Sequence, residues 1–148
     1  MTEQIEISNA EWEVMRVIWT LGQATSRQLI EIMEVKQNWK PATTKTLLGR
    51  LVAKDVLETK KEGRGFIYSP LVQEQATIDA QLMQNFSNIC QMHVGKTLAY
   101  LVENLNLTQS DIAKITAKLE DKKGSAPEEL ECDCIPAEFH RSGCQQCK

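Results

Sequence analysis

Glycine and proline are scarce in this chain, at 7 and 4 of 148 residues. A turn-rich all-β fold draws heavily on both, so that class is excluded. No apolar run approaches the length of a membrane span. Met1 to Ile7 carries acids and lacks the basic-then-apolar pattern of an export signal, so the expected location is the cytoplasm. Histidine occurs only twice, and neither a nucleophile–base pair nor a glycine-rich phosphate loop is visible, so an enzyme is not expected. Excess positive charge is also missing: 17 basic residues stand against 20 acidic ones, a net of −3. That balance excludes a globally basic protein but leaves room for a local basic patch. With 42% hydrophobic and 25% charged residues, the composition is that of a soluble globular protein. The length suits one domain, or a small domain with an appendage.

The charge is unevenly spread. Residues 36–64 hold eight basic side chains (Lys36, Lys40, Lys45, Arg50, Lys54, Lys60, Lys61 and Arg64) against Asp55, Glu58 and Glu62, a net of +5. The segments on either side are each net −4. One stretch of under thirty residues therefore carries the positive potential.

The same stretch has a recognisable element order. Ser8 to Leu21 reads as a helix, with Ser8 as N-cap, Glu11 at the capping-box position, Trp12, Met15, Ile18 and Trp19 at helical spacing, and Gly22 as the stop. Ser26 to about Val35 is a second helix, capped by Thr25 or Ser26. A third starts at Pro41, a residue favoured in the first turn, and runs to about Asp55 with Lys40 as a poor cap. At 100° per residue its Thr44, Leu48, Leu51 and Val52 share one face, while Thr43, Thr46, Arg50 and Ala53 point the other way. That outward stripe is small, hydrogen-bonding and basic, with no acid before Asp55. Val56 to Lys61 and Phe66 to Ser69 then read as a hairpin around Glu62-Gly63-Arg64-Gly65. Three helices with the third presented outward, followed by a hairpin with a basic tip, is the order of a winged helix-turn-helix, which places its third helix in a DNA major groove. A small α+β core with a merely polar surface is the competing reading.

Beyond Pro70 the chain is helical again, with a break expected near Val94-Gly95 and a last helix beginning at Thr108 and Asp111. These helices are too few to fill a core of their own. Their apolar stripes need a partner, either a second copy of the chain or the N-terminal domain. The expected fold class is thus mainly α (α+β): a winged helix-turn-helix domain over residues 1–70, a helical dimerisation region over 71–123, and a Cys-rich tail over 124–148 without regular structure in the metal-free state.

Four of the five cysteines fall in the last 17 residues, as Cys132-Asp133-Cys134, nine residues, then Cys144-Gln145-Gln146-Cys147. Nothing marks the chain as secreted, so a metal site explains the cluster better than disulfides. Thiolates are soft donors that suit Cu(I) and Zn(II). Cys-x-Cys is well placed to bridge low-coordinate Cu(I) ions, and Cys-x-x-Cys serves Zn(II) equally well. His140 is an alternative ligand. Cys90, beside Ile89 on a helix, reads as a buried small hydrophobe, and His93 as polar surface or interface.

Asn38 to Val52 resembles the recognition-helix signature of the penicillinase-repressor family; Ser8 to Met15 and the wing Lys61 to Tyr68 are similar as well. With the Cys-rich tail added, the chain looks like the copper-responsive, CopY-type members of that family. The resemblance implies a homodimeric transcriptional repressor of copper-homeostasis genes on a palindromic TACA/TGTA-type operator. It implies Zn(II) in the repressing form and Cu(I) as inducer, with a copper chaperone as a source of Cu(I). Thr43, Thr44, Lys45, Thr46 and Arg50 match the family's recognition-helix positions, and Arg64 matches its wing. Lys60 and Lys61 would add phosphate anchoring, and Cys132, Cys134, Cys144 and Cys147 would hold the metal. The tail departs from the family's two Cys-x-Cys pairs with a short spacer: here the spacer is longer and the second pair is Cys-x-x-Cys. The Asn-Phe bond cleaved in β-lactam-responsive members is matched here by Leu101-Val102, which points to metal rather than proteolysis as the signal. A β-lactam-type repressor with incidental cysteines, and a thiolate metal-storage or chaperone protein, are the two rivals.

Overall fold

A computed structural model describes residues 5–139; Cys144, Cys147 and His140 lie outside the described residues. Contacts divide the chain into two compact units, with the boundary between Leu82 and Met83.

The first unit opens with α1 (Asn9–Leu21), β1 (Ala24–Thr25), α2 (Ser26–Gln37) and α3 (Pro41–Ala53). It continues with β2 (Leu57–Glu62) and β3 (Gly65–Pro70) and runs into α4 (Glu74–Ser87). Local chemistry sets most of these bounds. Ser8 Oγ accepts the Glu11 backbone N–H at 3.2 Å and starts α1. Gly22 ends it, at φ 84, a left-handed conformation that glycine adopts without a Cβ penalty. Thr25 and Gln28 form a reciprocal capping box for α2, and Asn38 closes that helix in the αL conformation. Lys40 gives α3 no side-chain cap, as its chemistry predicts.

The hairpin is joined by a third strand that the sequence did not reveal. The sheet is antiparallel in the order β1-β3-β2, with Ala24 opposite Tyr68 and Thr25 opposite Ile67. The β2–β3 register pairs Thr59 with Tyr68 and Glu62 with Gly65, leaving Gly63-Arg64 as the turn. Gly63 sits at φ 58, where a Cβ is disfavoured.

Val14, Met15 and Ile18 of α1, Leu29 and Met33 of α2, and Leu47, Leu48 and Leu51 of α3 are buried, with Val56 and Leu57 closing the core beside the sheet. Trp12 and Trp19 pack edge to face at 5.4 Å, and Trp19 Nε1 donates to the Val72 carbonyl at 3.0 Å. Glu11 does not reach back to complete a capping box. Its side chain turns inward, is only 2% exposed, and accepts from Lys54 Nζ at 2.7 Å; Lys54 also donates to the Glu6 carbonyl. This pair ties the end of α3 to the start of α1.

The second unit holds the end of α4, then α5 (Gln91–Asn104), α6 (Gln109–Lys123) and a 3-10 turn at Ala137–Phe139. The break falls at residues 88–90, not at Val94-Gly95, and Gly95 lies inside α5. Glycine inside a helix costs only about 1 kcal/mol, too little to stop it. Thr108 and Asp111 form the expected capping box of α6, and the Thr108 backbone N–H holds the Asp111 carboxyl below its ordinary pKa. No residue of α4, α5 or α6 is buried, and Leu98, Tyr100, Val102, Leu105, Ile112 and Leu119 are all about half exposed or more.

Replacing Lys54 by Met strands the Glu11 carboxylate. Because Lys54 itself is 35% exposed, the expected loss is about 2 kcal/mol, below that of a fully buried pair. The urea midpoint falls with unchanged slope, and the double substitution Glu11→Met/Lys54→Met recovers most of it.

Candidate functional site

The outer face of α3 follows from its inner one. Thr44, Leu47, Leu48 and Leu51 are buried, so helical periodicity turns Thr43, Thr46 and Arg50 outward, and Lys45 is exposed beside them. The Thr46 hydroxyl donates to the Ala42 carbonyl at 2.9 Å and, on an exposed side chain, keeps its capacity to accept. Thr44 is a correction to the expected contact set. At 1% exposure it cannot touch a duplex, and its Oγ1 has no hydrogen-bond partner among the described residues.

The basic stretch sorts itself by pairing. Lys36 is engaged by Glu13 at 3.0 Å and Lys54 by Glu11. Among the described residues Lys40, Lys45, Arg50, Lys60, Lys61 and Arg64 form no ion pair, and all six are exposed. Lys40 belongs to this set although it was not among the expected DNA contacts; its place in the basic stretch was the available signal. Lys60 and Lys61 are neighbours on β2 and therefore leave opposite faces of the wing, Lys61 on the side of buried Leu57. Phe66, opposite Lys61, is 45% exposed. Unpaired cations on a helix and a hairpin tip can hold a polyanion, and the exposed threonines can reach base edges.

A second constellation lies in the other unit. Cys90, Cys132 and Cys134 bring their Sγ atoms within 4.8 Å of one another, with Cys90 and Cys132 at 3.7 Å and not disulfide-bonded. Cys90 is buried as expected but also stands in this thiol cluster, and the spacing of the tail cysteines held no signal that a helix N-cap thiol 42 residues upstream would join them. Cys90 and Cys132 are 6% and 5% exposed, whereas Cys134 is exposed. Residues 131–134 are held at the start of α5. Asp133 Oδ1 accepts the Gln91 backbone N–H at 3.0 Å, and the Gln91 side-chain amide donates to the Glu131 carbonyl. The Met92 backbone N–H lowers the Cys90 pKa against the opposing effect of burial. The neighbouring Cys90 and Cys132 sulfurs push the Cys134 pKa up to about 12. A tetrahedral Zn(II) with bonds of about 2.3 Å separates its sulfurs by about 3.8 Å. The donor set thus matches a thiophilic ion in both chemistry and spacing.

Compared with known proteins, residues 7–121 match a family described as penicillinase repressor. The chain is similar to an "uncharacterized 16.5 kDa protein in ptsI 3′region" of Latilactobacillus sakei, at 44% identity over 88% of this chain and 90% of that one. It is also similar to the methicillin resistance regulatory protein MecI of Staphylococcus aureus, at 34% identity over 79% of this chain and 95% of that one. A solved structure described as a CopR repressor shares 51% identity over 46% of this chain and 99% of its own, with a TM-score of 0.40.

The buried Thr44 hydroxyl gives a direct check on the placement of α3. Thr44→Val keeps the shape and removes an unpartnered polar atom, so it stabilises the fold by about 1 kcal/mol, read as a higher melting temperature.

Proposed function

The chain belongs to the penicillinase repressor family, whose members are transcriptional repressors and not enzymes, and from that premise we propose that it is a copper-responsive repressor of copper-homeostasis genes. It grips an inverted-repeat operator of TACA/TGTA type as a homodimer, and Cu(I) releases it by displacing Zn(II) from the C-terminal thiolates. Such a protein works in the cytoplasm, where a copper chaperone is a source of Cu(I). Residues 1–70 read the DNA, 71–123 carry the dimer contact and 124–148 sense the metal.

The observation that carries the metal half is the packing of Cys132 and Cys134 into one thiol cluster. The DNA half is supported by the unpaired cations around α3 and the wing. Each subunit inserts α3 into the major groove, with half-sites about one turn apart. Thr43 and Thr46 face base edges, while Lys45, Arg50, Lys60, Lys61 and Arg64 anchor phosphates. Dimerisation is supported by the apolar side chains that α5 and α6 leave exposed.

The switch follows from coordination preference. Zn(II) takes four ligands in a tetrahedron, whereas Cu(I) accepts two or three; Cys144 and Cys147 are the further tail thiolates on which Zn(II) can draw. An ion shifts the operator equilibrium only by the difference in its affinity for the DNA-competent and incompetent forms. A few kcal/mol of difference empties an operator.

Two measurements test this. Arg64→Ala weakens binding equally on operator and scrambled duplexes. It lowers the slope of log K against log salt by about 0.9 per lost phosphate contact, so by about 1.8 for a dimer. An unchanged slope removes Arg64 from the interface. For the metal half, Zn(II)-loaded protein on an inverted-repeat duplex dissociates when Cu(I) is added, and Cys132→Ser/Cys134→Ser protein stays bound. Release that ignores the double substitution identifies a repressor with incidental cysteines, and equal affinity for scrambled DNA identifies a metal-storage protein.

A further inference from the structure

We propose that Cys90 is itself a metal ligand, so that the sensing site is a clasp between α5 and the Cys132-Asp133-Cys134 segment and not a property of the tail alone. The inference deepens the copper reading and rests on it.

Three observations converge on Cys90. It occupies the N-cap position of α5, yet its side chain caps nothing; its sulfur faces Cys132 Sγ at 3.7 Å. The cap is supplied from elsewhere: Asp133, the residue between the two tail cysteines, accepts the Gln91 N–H. A second hydrogen bond, from the Gln91 side chain to the Glu131 carbonyl, fixes the same segment. These two bonds seat the tail cysteines without help from a metal, so the donor set is preorganised by the fold.

The surroundings suit an ion bound by thiolates. Of the three cysteines, Cys90 and Cys132 are buried and Cys134 is exposed, so solvent reaches the cluster at Cys134. A three-sulfur set meets the needs of Cu(I) by itself; Zn(II) requires one ligand more. A thiolate–metal centre carries net negative charge, and this one sits at the N-terminal, positive end of a 14-residue helix. Cys-x-Cys alone offers two sulfurs on one short segment. A third from another element closes the ring and transmits the coordination change to α5, whose exposed Leu98, Tyr100 and Val102 lie on the same helix as the ligand.

The test uses the full chain under reducing, oxygen-free conditions. Loaded with ¹¹³Cd(II), the wild-type protein gives proton–cadmium correlations to the β-protons of Cys90 as well as to those of Cys132 and Cys134. Correlations from tail cysteines only overturn the inference while leaving the copper reading intact. In competition titrations with a Cu(I) chelator, Cys90→Ala lowers Cu(I) affinity by about 100-fold, one thiolate's share of a typical site. An unchanged affinity overturns the proposal, and failure of wild-type protein to bind either Cd(II) or Cu(I) overturns it together with the copper reading. Because the correlation experiment needs no substitution, poor folding of the variant does not blunt it.

Discussion

Helix α3 must satisfy two environments at once, and the first unit is arranged around that constraint. Its inner face, Thr44, Leu47, Leu48 and Leu51, is locked into the core by α1, α2 and the sheet. Since the helix is rigid, packing the inner face also aims Thr43, Thr46 and Arg50. The Lys54–Glu11 pair adds a fixed point at the helix end. A helix face carried this way is preorganised, so little ordering entropy is lost when it binds. Among the described residues the buried Thr44 hydroxyl has no hydrogen-bond partner, a local cost that this packing tolerates.

The same logic recurs in the second unit with different chemistry. There the fixed object is the N-terminus of α5, whose orphan backbone N–H groups need an acceptor. A tail residue, Asp133, provides it, and in doing so carries Cys132 and Cys134 to Cys90. Helix capping, ordinarily a matter of a few tenths to about 2 kcal/mol, here brings three thiols into one cluster. Charge completes the contrast between the units. One gathers exposed, unpaired cations; the other gathers partly buried sulfurs at the positive end of a helix.

Much of the fold could be read from local chemistry. Ser8, Gly22, Thr25, Pro41, Gly63 and the Thr108–Asp111 box mark element ends through interactions that span four residues or fewer. What escaped was long-range. Strand β1 is two residues long and exists because Tyr68 and Ile67 offer it a partner. Glu11 sits where a capping box places it, but a lysine 43 residues away outcompetes the local bond. Thr44 was legible as an inward residue from periodicity, while similarity to the family motif suggested a DNA contact; burial decides for periodicity. The break at residues 88–90 bears no glycine or proline. It coincides with a capping acceptor supplied by Asp133, more than 40 residues downstream.

By itself the sequence determined the helix and hairpin order, the inner and outer faces of α3, the confinement of positive charge to one stretch and the concentration of thiols near the C-terminus. These depend on spacing along the chain, and spacing is written in the residues. Only the tertiary structure decided which cations stay unpaired, that Thr44 is sealed in, and that Cys90 stands beside the tail cysteines. Each of those outcomes turns on distances between segments far apart in the chain, which are set by how the whole chain packs and not by any local pattern.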